Sequence, residues 1–206
     1  LGSLAGCLKI VQGEIRHDSG ERERAGLEKK VLEIMRRIGI KNGQTVLDFG
    51  CGSGTYTIPV AKIVGKKGRV YALDKDKHAL DTLMKKAQPA RLKNIGRMAI
   101  SGEMRIELPD KSVDVILLFD VFHRYYFPQM SDRKRLLDEI YRITKTGGFV
   151  SVWPKHMETE VRAEMEAANF CLEDAFLETL IHDNKDVETG EVINFRKKSN
   201  YYEKRR

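Results

Sequence analysis

The chain has 206 residues, 41% of them hydrophobic and 33% charged, a composition that suits one α/β domain with a substantial core and leaves little room for two. No apolar run reaches the ~18 residues needed to cross a bilayer. Leu1 to Gly13 lack a charged stretch followed by an apolar one, which speaks against a signal peptide and for a cytoplasmic protein. The formal net charge of +7 is concentrated at one end: residues 196–206 carry +5, leaving +2 for all the rest. That is the pattern of a solvated basic tail rather than of a nucleic-acid-binding surface spread over the body.

The elements alternate along the chain. Residues 1–25 lack a core-forming period and are expected to act as a cap over the site or as a loose terminus. Leu27, Val31, Ile34, Met35 and Ile38 repeat on one helical face over residues 25–38, and Gly39 and Asn42-Gly43 end it. Thr45 to Phe49 reads as a first strand, residues 55–64 as a helix, and residues 69–73 as a second strand. Ala79, Leu80, Leu83, Met84 and Ala87 mark the next helix, which Pro89 stops. Residues 95–101 form a weak third strand. Val113 to Phe119, apolar except for Asp114, has the continuous pattern of a central strand buried on both faces. A helix follows, with Ser131 as its expected N-cap and Gly147-Gly148 as its end. Phe149 to Trp153 is the next strand. Past Pro154 a helix over 157–168 precedes strands at 175–182 and 191–197, with Asn184 to Gly190 as the turn between them. The whole is a single α/β domain over residues 1–206, a Rossmann-like, doubly wound, mainly parallel sheet of seven strands closed by a C-terminal antiparallel hairpin.

Cys7, Cys51 and Cys171 are odd in number and widely spaced. They fit free thiols in a reducing compartment better than a disulfide framework, and no ligand spacing suggests a metal.

The chemistry begins at Asp48-Phe49-Gly50-Cys51-Gly52-Ser53-Gly54-Thr55. A strand runs into glycines at alternate positions and then into a helix, whose N-terminal N–H groups favour a carboxylate or a phosphate. In the dinucleotide pattern G-x-G-x-x-G the third glycine falls at 55, and 55 is Thr. An aspartate two residues before the first glycine has no use against a pyrophosphate, but it favours a ligand with an ammonium and a sulfonium. Asp74 stands at the tip of the second strand, where a carboxylate accepts both hydroxyls of a ribose.

In these residues the chain resembles the class I S-adenosylmethionine-dependent methyltransferases, in particular the small-molecule, quinone-biosynthesis-like type 11 branch. Val46 to Gly54 matches that family's first motif and Val70 to Asp74 its second-strand motif. Gly102-Glu103-Met104 falls where the family has Gly-Asp-Ala, which implies that Glu103 holds the adenine amino group. Leu108 to Asp114, Gly147-Gly148 and Ala167 to Phe170 follow in the family's order. The resemblance implies S-adenosylmethionine as cofactor and S-adenosylhomocysteine as product. The implied cofactor set is Asp48, Gly50, Cys51, Gly52, Gly54, Thr55, Tyr56, Asp74, Lys75, Gly102, Glu103, Met104 and Phe119.

The acceptor is less sharply written. Phe119 to Pro128 arrives at the carboxyl edge of the sheet, with aromatic rings suited to flank a sulfonium. His123 is the candidate general base, against a mechanism of in-line positioning that needs none. His17, Tyr125, Tyr126 and Trp153 are the candidate substrate contacts. The expected partner is a small-molecule acceptor, with nucleic acid less favoured and no membrane span. Two other functions compete: an RNA or DNA methyltransferase, helped by the basic tail, and a non-catalytic S-adenosylmethionine-binding partner subunit.

Overall fold

The computed structural model describes residues 25–100, 105–155, 157–182 and 186–198. The expectations placed on His17, Gly102, Glu103, Met104 and Cys7, on the N-terminal cap and on residues 199–206 lie outside them. In chain order the elements are α1 (residues 25–38), β1 (Thr45–Phe49), α2 (Thr57–Val64), β2 (Arg69–Asp74), α3 (Lys77–Ala87), β3 (Ile95–Ala99), β4 (Val113–Phe119), α4 (Met130–Ile143), β5 (Thr144–Trp153), α5 (Glu158–Ala167), β6 (Phe170–His182) and β7 (Asp186–Lys197).

The strands form one sheet of order β3-β2-β1-β4-β5-β7-β6, parallel from β3 to β5 and antiparallel at β7. The order reverses between β1 and β4, the topological switch point where open α/β sheets bind ligands at their carboxyl ends. Side chains alternate across the sheet. Val46, Val115 and Leu117 pack on one face with α1, α2 and α3, while Leu47, Ile116 and Leu118 pack on the other with α4 and α5. Among the described residues no helix is long and apolar enough to cross a membrane.

Four boundaries differ from the sequence reading, each for a local reason. The helix α4 starts at Met130 with Gln129 as an N-cap whose side chain makes no capping bond, so Ser131 lies inside the first turn. It ends at Ile143, short of Gly147-Gly148, because the Thr144 hydroxyl turns back to donate to the Ile140 carbonyl at 2.6 Å and Thr144 already pairs with Val113. The two glycines sit within β5 at a register irregularity, where a Cβ on Gly148 would approach the Asp114 carbonyl to 2.9 Å. The hairpin strands are longer than expected, and Gly190 belongs to β7, where any side chain would collide with the Trp153 indole nitrogen. Finally, the basic tail begins inside the sheet. Arg196 of β7 pairs with Glu173, and the buried Lys197 donates to the carbonyls of Tyr141 (2.5 Å) and Thr144 (2.7 Å) at the carboxyl end of α4. Burial, with Lys111 nearby, lowers the Lys197 pKa.

Only Phe149 to Val152 of β5 pair with β7, so the distal half of the hairpin extends past the carboxyl edge of the sheet. It folds back over that edge, where Phe176, Leu180, Ile181 and Val192 join the α1–α3 core cluster.

Candidate functional site

The loop between β1 and α2 is fixed almost wholly by backbone donors. The N–H groups of Gly50 and Cys51 both donate to the Leu73 carbonyl, at 2.8 and 3.1 Å, and the Gly52 N–H donates to Asp74 Oδ2 at 2.8 Å. Asp74 Oδ1 in turn accepts from the Asp76 N–H at 2.9 Å, while Asp76 caps α3 by accepting from His78 and Ala79. A carboxylate has about four acceptor positions, so Asp74 is oriented by two bonds with capacity left for a ligand's hydroxyls. Lys86 of α3 closes the far side of the loop, donating to the Ser53 hydroxyl at 2.8 Å.

Two of the glycines answer different demands. Gly54 (φ +92) lies against Leu83 of α3, and a Cβ there would overlap the Leu83 side chain. Gly52 (φ +52) has no atom within 4 Å of a would-be Cβ. The first is needed for packing; the second leaves an open cradle on the cavity side.

Asp48 occupies the helix-facing side of β1, 2% exposed, and accepts from the Thr57 hydroxyl at 2.5 Å. Burial raises its pKa to about 6, against the Thr57 bond, which lowers it, with Asp74 adding a further rise. Burial also pushes up the Cys51 thiol, reinforced by Asp48 and Asp74, so that thiol is not a poised nucleophile. α2 carries no side-chain cap and no acidic residue in its first turn, which leaves its positive end available to an anion.

A cavity of about 390 Å³ opens over this loop. Gly50, Cys51, Gly52, Ser53, Thr55 and Tyr56 line its floor, and Leu73, Asp74, Lys75 and Ile100 line one side. Phe49, Phe119, Asp120, Val121, Tyr126, Phe127 and Ile181 form the other. Tyr56 meets Phe119 edge to face at 4.9 Å, and Lys75 lies over the Tyr126 ring at 5.1 Å. The Tyr56 hydroxyl donates to the Ile181 carbonyl (3.1 Å) and accepts from the Ile181 N–H (2.9 Å), tying the hairpin to the loop. Burial, and less so Asp48 and Asp120, raise its pKa, so it stays a phenol. Arg133, buried in α4, donates to the Phe127 carbonyl at 2.6 Å and is paired with Glu164 at 2.9 Å, anchoring the aromatic segment after β4.

Of the expected site residues, the structure gathers Gly50, Cys51, Gly52, Thr55, Tyr56, Asp74, Lys75, Phe119 and Tyr126 around one cavity. Asp48 and Gly54 lie beneath its floor, acting through Thr57 and Leu83. Three others are displaced from it. Trp153 is 2% exposed and closes the core under Gly190, because the hairpin covers it. Tyr125 is 83% exposed, on the outer side of its turn. His123 stacks on Tyr126 at 4.8 Å, and its Nε2 lies 3.7 Å from Asp120 Oδ1.

Sequence reading missed Asp120, Ile181 and His182. Asp120 directly follows β4, whose carboxyl end is the signal that could have found it; nothing in the sequence links it to the hairpin. In the fold, Asp120 Oδ2 meets His182 Nδ1 across 62 residues of chain. Among the described residues no group of three or more His, Cys, Asp or Glu is placed to hold a metal ion.

Comparison with known proteins gives one consistent picture. The profile of the family described as "Methyltransferase domain" matches residues 47–152. The demethylmenaquinone methyltransferase of Geobacillus stearothermophilus is 30% identical over 116 residues, which is 56% of this chain and 47% of that protein. The chain thus spans about half the length of the curated relatives it matches. A crystal structure of an S-adenosylmethionine-dependent methyltransferase from Aquifex aeolicus superposes with a TM-score of 0.66 at 26% identity, covering 80% of this chain and 87% of that one. The TYW2 protein of M. jannaschii, crystallised with its AdoMet, shares the fold alone, at 22% identity and a TM-score of 0.54 over 81% of this chain and 74% of its own.

Proposed function

This chain belongs to the class I S-adenosylmethionine-dependent methyltransferases, in the type 11 methyltransferase-domain branch, and from that premise we propose that it methylates a small molecule with a flat, largely apolar body. The observation that carries this reading is that one cavity brings Asp74 and the glycine loop together with Phe119, Val121, Phe127 and Ile181.

The polar wall fits the cofactor. Asp74 is aligned to accept from both hydroxyls of a ribose, and the Gly52 cradle is space that a Cβ would fill. Thr55 and Tyr56 bring the uncapped end of α2 to an amino-acid carboxylate, and the buried Asp48 supplies negative potential beneath the loop. Lys75 closes over the top, against Tyr126. When bound, S-adenosylmethionine supplies a methyl group on a sulfonium, which becomes a neutral thioether as the methyl moves to the acceptor.

The apolar wall fits the acceptor. Phe119, Val121, Phe127 and Ile181 offer flat and branched surfaces with few polar atoms, the lining expected for a ring system held by shape. The relatives matched over the core of the chain are named demethylmenaquinone methyltransferase, which supports a quinone-like acceptor here. Holding the acceptor in line with the methyl–sulfur bond is the main contribution asked of this wall.

The test is transfer of a labelled methyl group. With a panel of hydroxylated naphthalenes and quinols, label is expected in the ring compounds at a rate above self-labelling of the protein. Label entering tRNA instead, with a steep salt dependence, would overturn the small-molecule reading.

A further inference from the structure

Asp120 stands out on the cavity wall. It closes β4 with φ +52, a left-handed conformation that non-glycine residues keep only where their surroundings fix it. Three contacts do so. Its N–H donates to the Trp153 carbonyl at 3.2 Å, its Oδ2 meets His182 Nδ1 from the end of β6, and its Oδ1 lies 3.7 Å from His123 Nε2. The side chain is 18% exposed and lines the cavity, with its imidazole neighbours 12% and 30% exposed.

Among the described residues, the cavity wall carries two carboxylates, Asp74 and Asp120. Asp74 is committed to the loop and to the ribose position. Asp120 is set among Phe119, Val121 and Phe127, where a ring would lie. We infer that Asp120 is the proton acceptor for a hydroxyl carried on that ring, with His182 as the positioning residue whose Nδ1–H holds the carboxylate; this rests on the methyl-transfer reading above.

The step balances without a further reactant. The O–H bond breaks, and its proton passes to Asp120 and from there to solvent, while His182 keeps its own Nδ1–H on Oδ2. The electron pair left on oxygen forms the oxygen–methyl bond, while the pair of the methyl–sulfur bond stays on sulfur. A carboxylate acceptor has no proton to give up, and a neutral amine attacks before losing one, so a fixed base serves a hydroxyl best. An aspartate held in place by an imidazole N–H, with its second oxygen left for the hydroxyl, is a suitable device for it. Among the described residues, His123 from the turn after β4 and Tyr56 from the loop after β1 also face the pair. Lys155, beyond β5, is occupied by Glu188 of β7, and Glu178 of β6 by Arg37 of α1.

Two variants separate this role from a structural one. Asp120→Asn keeps the shape, and Asn tolerates a left-handed backbone. His182→Asn keeps an amide donor near the Nδ1 position, on a shorter side chain that holds the carboxylate less firmly. Both should bind S-adenosylhomocysteine within about twofold of wild type by calorimetry, as neither touches the ribose or loop contacts. With 1-naphthol as acceptor, Asp120→Asn should lose about 100-fold or more in kcat with KM little changed, and His182→Asn about tenfold. In the wild type kcat is expected to fall towards acid, and that fall should vanish in Asp120→Asn.

A readout without turnover is the absorbance of 1-naphthol bound beside S-adenosylhomocysteine. Its ionisation should move to lower pH in Asp120→Asn, because the aspartate carboxylate beside the oxygen disfavours the naphtholate and the amide does not. Wild-type kcat, pH profile and naphthol ionisation in both variants would overturn the inference. Wild-type enzyme that methylates ring amines but no ring hydroxyl would overturn it while leaving the small-molecule reading intact. Wild-type enzyme that methylates no ring compound at all would remove both.

Discussion

Along β1 and β2 the cavity wall is held by backbone donors that converge on two residues, the Leu73 carbonyl and the Asp74 carboxylate. Along β4 and β6 it is held by side chains that reach across the fold: Tyr56 to Ile181, Asp120 to His182, Arg133 to Phe127. The first kind of wall tolerates almost no change in the chain that forms it, because the bonding groups are the chain itself. The second can be altered one side chain at a time. In a fold built this way, side chains on the second wall can change without disturbing the bonds that hold the first.

The sharpest way to break that contrast is at Gly54. Gly54→Val places a branched side chain in a left-handed position against Leu83 and should destabilise the protein by about 3 kcal/mol or more, read from urea unfolding. A variant as stable as wild type would mean that the loop is not packed as described.

Asp48 comes next, and its effect has the opposite sign. Its pKa stands at about 6 in the folded protein against an ordinary 3.8, so the folded state holds the proton more tightly than the unfolded state between those values. Stability therefore falls as pH rises from about 4 to about 6, by a total on the order of 3 kcal/mol at ~1.4 kcal/mol per unit. The loss is complete above that window. Asp48→Asn should remove the slope and make the protein without cofactor more stable at pH 8, by about 1–3 kcal/mol, while weakening S-adenosylmethionine. Thermal unfolding across that pH range checks it; an unchanged slope would mean that Asp48 is not the group that titrates.

Tyr56→Phe probes the other wall with a smaller effect. Removing the hydroxyl leaves the Ile181 N–H and carbonyl without this partner, at a cost of about 2 kcal/mol. The hairpin should loosen over the cavity, raising KM for the acceptor more than Kd for the cofactor. Equal changes in both would erase the distinction between the walls.

The two walls were also unequally legible in the sequence. Asp48 to Thr55 and Asp74 could be read because glycine spacing and strand-tip carboxylates are local demands of the backbone. Asp120, Ile181 and His182 could not, because what joins them is the way the hairpin bends over the sheet, and no spacing encodes that bend. Trp153 was misplaced for the same cause: it ends a strand that points to the site, but Gly190 lies over it. Lys197 read as part of a solvated tail, since a basic run gives no hint that two carbonyls at the end of α4 await one of its members.

The Gly52 cradle and Asp74 together define where the cofactor would sit. Titration calorimetry of S-adenosylmethionine into the wild type, Gly52→Val and Asp74→Ala tests them directly. Saturable binding at one site in the wild type is expected, with affinity reduced about 100-fold or more in both variants, since the first fills the cradle and the second removes the charged acceptor for two hydroxyls. Wild-type affinity in both variants would contradict the placement of the cofactor, and with it the assignment of the two walls.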